Sequence, residues 1–332
     1  MSRFAIPAEW AEHERTLIAW PARAELWGDQ LARAKSTHAQ VIAAVARFEP
    51  VTVVANIGIG DEATTACGSA HAHAVDVIEE PIDDSWLRDS GPIVVRNALG
   101  ERAGIDFRFN GWGGKFEPHD SDDAISARLC ERLGLTRHES PMVLEGGAIT
   151  VDGAGTLVTT EQCLLHPTRN PTMDRSDIEA ELSDRLGIER VIWIERGLVE
   201  DRDTDGHVDN VCAFIAPGVA LVQGTADRNN PNAASLAANR RRLDEAGIET
   251  IFVDVLPYDT VGGREVVVPP LNLYFVNGGV LVPVADNDLV AADAAVERIA
   301  AAVPDREIVP IPASVLAFGG GGIHCITQQI PA

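Results

Sequence analysis

Apolar positions recur at helical spacing in five stretches of this chain, and each stretch precedes a short apolar run that reads as a strand. Leu31, Val41, Ile42, Val45 and Phe48 predict a helix over roughly Asp29 to Phe48, ahead of VTVVANI. Ile125, Leu129 and Leu133 predict a second, beginning near Asp120, which with Asp122 is expected to cap it; PMVL follows. Ile178, Leu182 and Leu186 mark a third, which stops at Gly187 before RVIWIE. Leu236 and Leu243 mark a fourth, ended by Gly247 before TIFVDVL, and a fifth spans about Leu289 to Val303 before REIVPI. Acidic or Asn starts and glycine stops agree with most of these assignments.

Each helix–strand pair is followed by a polar, mostly glycine-containing loop that leads into another apolar strand. In order these loops lie in DDSWLRDSGPIVV, EGGAITV, DTDGHVDNVCAFI, NGGVLVPV and GGGGIHCITQQ. A repeated element order at unequal intervals is the signature of a divergent internal repeat, here of about 66 residues per unit. Such a unit cannot bury both faces of its own sheet and helix, so the units should pack side by side. Closing them into a ring would gather the five polar loops near one axis. The ring is favoured over an open doubly wound sheet, which the same alternation would also permit. No Pro/Ser-rich linker or low-complexity tract interrupts the pattern, so residues 1–332 are expected to form one α/β domain.

Charge narrows the partners. Fifty acidic against 27 basic side chains leave a formal net charge of −23, which repels nucleic acid and anionic membrane and steers cationic ligands inward. No apolar run approaches the ~18 residues of a membrane helix, and MSRFAIPAEWAEHE has no basic-then-apolar signal pattern. The five cysteines are odd in number and form no CxxC spacing, which points away from a disulfide framework or zinc knuckle and towards a reducing, cytoplasmic setting. P-loop and Rossmann fingerprints are absent, so no cofactor is expected. A homo-oligomer is compatible with all of this.

Candidate chemistry sits in the loops. Cys325 follows four consecutive glycines, which allow a ligand to approach the backbone closely, and an accessible thiolate is a nucleophile. The other four cysteines occupy helical or apolar-strand settings and are expected in the core. His207 and Asp209 are two apart, and in a strand they would share one face; such a histidine shuttles protons near neutral pH. HxD is also a two-ligand metal fragment, but no HExxH or third ligand at a supporting spacing accompanies it, and no metal is expected. His324 should point away from Cys325 if that segment is extended, and then supports the fold. His71 and His73 suggest a surface loop. Asp89 and Glu145 stand in corresponding loops of successive units, where they can converge with Cys325, His207 and Asp209. A guanidinium suits that set: its five donors pair with carboxylates, its resonance-stabilised carbon needs a strong nucleophile, and departing ammonia needs an acid.

The segments AEWAEHERTLIAWP, DDSWLRDSGP, FNGWGGK, LEGG, TTEQCLLHPTRNP, DTDGHVDN, LNLYFVNGG and GGGGIHCITQQIP resemble, in order and over nearly the whole chain, the agmatine deiminase family. That family belongs to the guanidine-modifying superfamily, whose fold is a five-bladed β/α propeller (the pentein fold) with pseudo-fivefold symmetry. The resemblance implies that Cys325 is the nucleophile, that His207 is the general acid and base, and that Glu145 works with that histidine and contacts the guanidinium. It implies that Asp89 and Asp209 clamp the guanidinium nitrogens, that Trp86 packs on the flat cation or its methylene chain, and that Asp203 lies near the distal amine of agmatine. The implied reaction converts agmatine and water to N-carbamoylputrescine and ammonia through a covalent amidino-thioether. Two positions depart from plant-type members: Asp205 stands where they have Asn, and Gly322 where they have Asn before IHC. Both bear on the substrate's tail, and Asp205 adds negative charge suited to a cationic one. The competing expectations are a deiminase of peptidyl-arginine, arginine or a guanidino acid, and a non-catalytic propeller that binds a partner.

Overall fold

The computed structural model describes residues 3–332. Strands β1 (His13–Ala19), β2 (Val51–Ala55) and β3 (Val75–Glu79) pair in parallel. The next three sheets are each three-stranded: β4 (Ile93–Arg96), β5 (Arg102–Arg108) and β6 (Thr136–Val143); β7 (Ile149–Val151), β8 (Thr156–Thr160) and β9 (Arg190–Ile194); and β10 (Cys212–Ala216), β11 (Val219–Gln223) and β12 (Glu249–Val253). A two-stranded hairpin of β13 (Tyr258–Val261) and β14 (Arg264–Val267) interrupts the series. The sheet of β15 (Tyr274–Val276), β16 (Gly279–Val284) and β17 (Glu307–Pro312) follows, and β18 (Thr327–Pro331) returns to pair antiparallel with β1. Separate sheets of two to four strands rule out the open doubly wound sheet.

One connection pattern recurs in five of these sheets. An antiparallel partner flanks a central strand, preceding it in the chain in four sheets and supplied by β18 for β1, and a helix then carries the chain across to a parallel strand on the other side. The crossover helices are Leu31–Val45, Ile125–Arg132, Arg175–Leu186, Ala233–Glu245 and Leu289–Ala302. All five predicted helices are therefore present. Parallel pairing needs such a crossover, and a strand covered on both faces reads as an unbroken apolar run. VTVVA of β2 and GVLVPV of β16 are buried at every position.

Local chemistry sets the boundaries. In the third helix Asp174 accepts from the Asp177 backbone N–H while Asp177 reaches back, and Gly187 stops the helix at φ 70°. Ile178, Leu182 and Leu186, four apart, form its buried face. The second helix departs from expectation at its start. Asp120–Asp123 is a separate turn, neither Asp120 nor Asp122 caps the helix, and Asp122 Oδ1 instead accepts from the Asp83 N–H at 2.9 Å. The fourth loop also differs. Asn277–Gly278 is the tip of the β15–β16 hairpin, and the loop that leads into the first strand of that sheet is 268–273. Two apolar strands flanking NGG looked like one strand after a loop, because a three-residue β15 is too short to show a period.

No helix among the described residues is long and apolar enough to cross a membrane. The β1–β18 pairing joins the two ends of the described chain, and Ile330 in β18 is 1% exposed. Ile330→Ala should cost about 2–5 kcal/mol, read as a lower urea midpoint at unchanged slope. The same change at exposed Ile57 should stay within about 0.5 kcal/mol.

Candidate active site

The loop that precedes the first strand of each repeated sheet carries a polar group to one place. Trp86 and Asp89 stand at the start of and within the turn Leu87–Ser90, ahead of β4. Glu145 precedes the turn Gly146–Ala148, ahead of β7. His207 begins the turn Val208–Asn210, which contains Asp209, ahead of β10. Cys325 lies in the turn Ile323–Ile326, ahead of β18. His207 and Asp209 are thus brought together by a turn, and not by the alternation of a strand. His324 likewise does not face away from the site, because its segment is helical.

Gly147 reports how closely three of these groups converge. A Cβ placed there would lie 2.6 Å from His207 Nδ1, 2.9 Å from Asp209 Oδ2 and 3.0 Å from Asp89 Oδ1. The Gly147 N–H donates to Asp89 Oδ1 at 2.9 Å, and Trp112 Nε1 donates to Asp89 Oδ2 at 2.9 Å. Asp89 Oδ1 is 3.9 Å from His207 Nδ1. The Cys325 thiol is 3.6 Å from Asp209 Oδ2 and receives a hydrogen bond from Asn272 Nδ2 at 3.2 Å. Glu145 Oε1 accepts from Arg169 Nε at 2.6 Å, with both side chains fully buried. Trp86, Asp89, Trp112, Phe116, Asp203, Thr204 and Cys325 line one narrow pocket together with Gly319 and Gly320.

The glycine run shapes that pocket by absence of bulk. A Cβ on Gly321 would lie 2.4 Å from the Trp86 ring, and one on Gly322 would lie 2.3 Å from Asn272 Oδ1. Trp86 packs on Trp27 with ring centroids 5.8 Å apart, which fixes the indole as a wall. Asp203 is half-buried and, among the described residues, forms no ion pair. Asp205 is different: it accepts from Arg169 Nη1 at 2.8 Å and pairs with Lys115 Nζ at 2.7 Å. Its negative charge is therefore offset by two cations, and the expectation that it serves a cationic tail is withdrawn.

Protonation follows from burial and crowding. Burial raises the Asp89 carboxyl, His207 pulls it back, and Asp209 and Glu145 raise it further, for a net rise. For His207, burial opposes the charged ring, but Asp89, the Cys163 thiol and Asp209 carry its pKa well above the ordinary value. Burial, then Asp209 and Asp89, push the Cys325 thiol well above the usual range despite hydrogen bonds from Gly322 and Asn272. Both shifts favour the protonated form, a thiol on Cys325 and an imidazolium on His207.

Several residues of this site were not singled out from the sequence. Arg169, Trp112 and Asn272 all lie within distinctive segments, HPTRNP, NGWGGK and LNLYF, where a polar or bulky residue interrupts small or apolar neighbours. Cys163 is buried as expected, yet Glu145, Cys163 and His207 present ligand-type atoms all within 4.8 Å of one another. Arg169 already supplies the positive charge beside Glu145, which disfavours a metal cation at that cluster.

Two outcomes follow. Alkylation of Cys325 by iodoacetamide should be slow at pH 7 and keep rising without a plateau below about pH 8.5, the free-cysteine value. Arg169→Met, which strands the buried Glu145 charge, should destabilise the protein by about 3–5 kcal/mol in chemical denaturation.

Comparison with known proteins agrees with this geometry. Residues 5–331 match the sequence profile of the Porphyromonas-type peptidyl-arginine deiminase family. The chain is 38% identical to an agmatine deiminase from Stutzerimonas stutzeri, over 99% of this chain and 96% of that one, and equally similar to one from Pseudomonas aeruginosa. The solved structure of the agmatine deiminase of Enterococcus faecalis superposes with a TM-score of 0.90 at 32% identity, covering 99% of this chain and 96% of that one. The chain belongs to the Porphyromonas-type peptidyl-arginine deiminase family and, within it, to the agmatine deiminase family.

Proposed function

We propose that this chain hydrolyses agmatine to N-carbamoylputrescine and ammonia, using Cys325 as nucleophile. The observation that carries the reading is a set of buried polar atoms without hydrogen-bond partners: Glu145 Oε2, Asp209 Oδ1 and both ring nitrogens of His207, which have only the Cys163 thiol alongside. Leaving such atoms unpaired costs about 1–3 kcal/mol each. They belong to the same group of side chains as the Cys325 thiol, and free carboxylate oxygens are the partners a planar guanidinium requires.

The chemistry runs in two halves. Asp89, Asp209 and Glu145 hold the guanidinium, with Trp86 against its flat face or methylene chain. A bound cation lowers the thiol's pKa, so the proton that burial holds on Cys325 passes to water when substrate arrives. Sγ attacks the central carbon, the C–N bond to the departing nitrogen breaks, and His207 gives that nitrogen its proton. An amidino-thioether remains on Cys325. His207, now neutral, takes a proton from water as the water oxygen attacks the same carbon; the C–S bond then breaks, the added hydroxyl gives its proton to the departing sulfur, and the neutral carbamoyl product and the Cys325 thiol are released. Arg169 Nε donates to Glu145 Oε1 and so orients that carboxylate. Asn272 Nδ2 steadies the sulfur.

The five repeated sheets support a ring with pseudo-fivefold symmetry, closed by β1 on β18, in a single domain over residues 1–332. The tail of the substrate is read from the pocket's mouth. Asp203 offers an unpaired carboxylate to a distal ammonium. Lys115, which donates to the Asp203 carbonyl, is also committed to Asp205 and to the Arg202 carbonyl, so it is not free for the α-carboxylate of arginine. Five free cysteines fit a reducing cytoplasm.

Purified protein should release ammonia from agmatine, and Cys325→Ala should lower kcat by at least about 10³-fold. Retained turnover in that variant would refute the thiol's role. In a panel of guanidino compounds, kcat/KM for agmatine should exceed that for arginine by about 100-fold, since an uncompensated carboxylate near Asp203 costs several kcal/mol.

A further inference from the structure

We infer that Glu9 and His324 are a positioning pair that fixes the Asp209 carboxylate for the guanidinium. The inference rests on the deiminase reading only for what Asp209 holds. His324 Nδ1 lies 2.9 Å from Asp209 Oδ2, and His324 Nε2 lies 2.8 Å from Glu9 Oε2. Ionised carboxylates accept hydrogen bonds and do not donate them, so a ring bonded to one on each side carries a proton on both nitrogens. The imidazolium is thus a bridge between a pocket carboxylate and an acid 315 residues away in sequence.

Each member of the bridge is itself held. Glu9 Oε1 accepts from the Phe275 N–H at 3.3 Å, and the Glu9 carbonyl meets His13 Nε2 at 2.7 Å. The His324 N–H donates to Asn272 Oδ1 at 3.0 Å, the same amide whose nitrogen contacts the Cys325 sulfur. Burial opposes ionisation of Glu9, yet His324, Arg88 and the Phe275 N–H hold its pKa near 2, so the charge persists.

Geometry explains why Asp209 needs such support. Its Oδ2, the oxygen that His324 holds, also lies 3.6 Å from the Cys325 sulfur. The residue borders a cavity of about 50 Å³, whose walls also include Glu9, Arg88, His324, Phe214 and Phe275. A carboxylate beside open space can turn unless it is held. Pinning Oδ2 to His324 fixes its orientation and leaves Oδ1 buried and unpartnered, ready for an N–H of the substrate. Glu9 meets His324 and His324 meets Asp209, so the pair acts through Asp209.

Steady-state kinetics on agmatine separate this from plain structural support, with folded sites counted by Cys325 labelling. His324→Leu should raise KM by about tenfold or more while kcat falls by less, the size expected for loss of one charge-assisted hydrogen bond. His324→Asn, whose amide can donate from the place of Nδ1, should bring KM back to within about threefold of wild type. Glu9→Gln should fall between them, because a neutral ring can still donate from Nδ1. Wild-type KM in His324→Leu would overturn the inference, as would equal loss of kcat in both His324 variants with KM unchanged. An intact protein with no activity on agmatine would sink the deiminase reading instead.

Discussion

Three carboxylates are buried close enough to act on one another, and most of the surrounding structure answers that fact. Asp89, Glu145 and Asp209 are each at most 5% exposed, and like charges so placed repel strongly where water cannot screen them. The protein meets each with a separate partner: two N–H groups from Gly147 and Trp112 for Asp89, the Arg169 guanidinium for Glu145, and the His324 ring for Asp209. His207 takes up much of the remaining field, which is why its ring holds a proton despite complete burial. The same crowding, added to burial, raises the pKa of the Cys325 thiol.

The fold makes this crowding achievable. Because the strand that opens each repeated sheet is reached by an irregular loop, five such loops deliver side chains from five distant parts of the sequence. Rigidity comes from strands buried on both faces, such as β2 and β16, and from glycines where bulk would collide, as at Gly147 and Gly321. The site is precise because the strands at the bases of its loops are fixed.

Much of this was legible in the residues, for identifiable reasons. Helical spacing located all five crossover helices, since a face buried along three or four turns leaves a periodic record, as Ile178, Leu182 and Leu186 do. Polar residues between apolar runs located Asp89, Glu145, His207, Asp209 and Cys325, all of which the structure brings together. Geometry within the loops was not legible. The i, i+2 spacing of His207 and Asp209 suggests a strand, but a turn sets it. A three-residue β15 leaves no period, so the sequence marks the hairpin tip at Asn277 and not the loop that carries Asn272. Arg169 and His324 act through partners far away in the chain, and no local pattern announces a long-range ion pair. Asp205 shows the same limit from the other side: its charge was plain, and its two cationic neighbours were not.

The pairing of β18 with β1 has a consequence for how the molecule comes into being. Among the described strands β1 is synthesised first and β18, with Cys325 just ahead of it, last. Until then the first sheet has an edge with no antiparallel neighbour, and the acids near Asp89 have no sulfur of Cys325 beside them. One late strand both completes that sheet and brings in the thiol. A chain cut short before β18 would lack both.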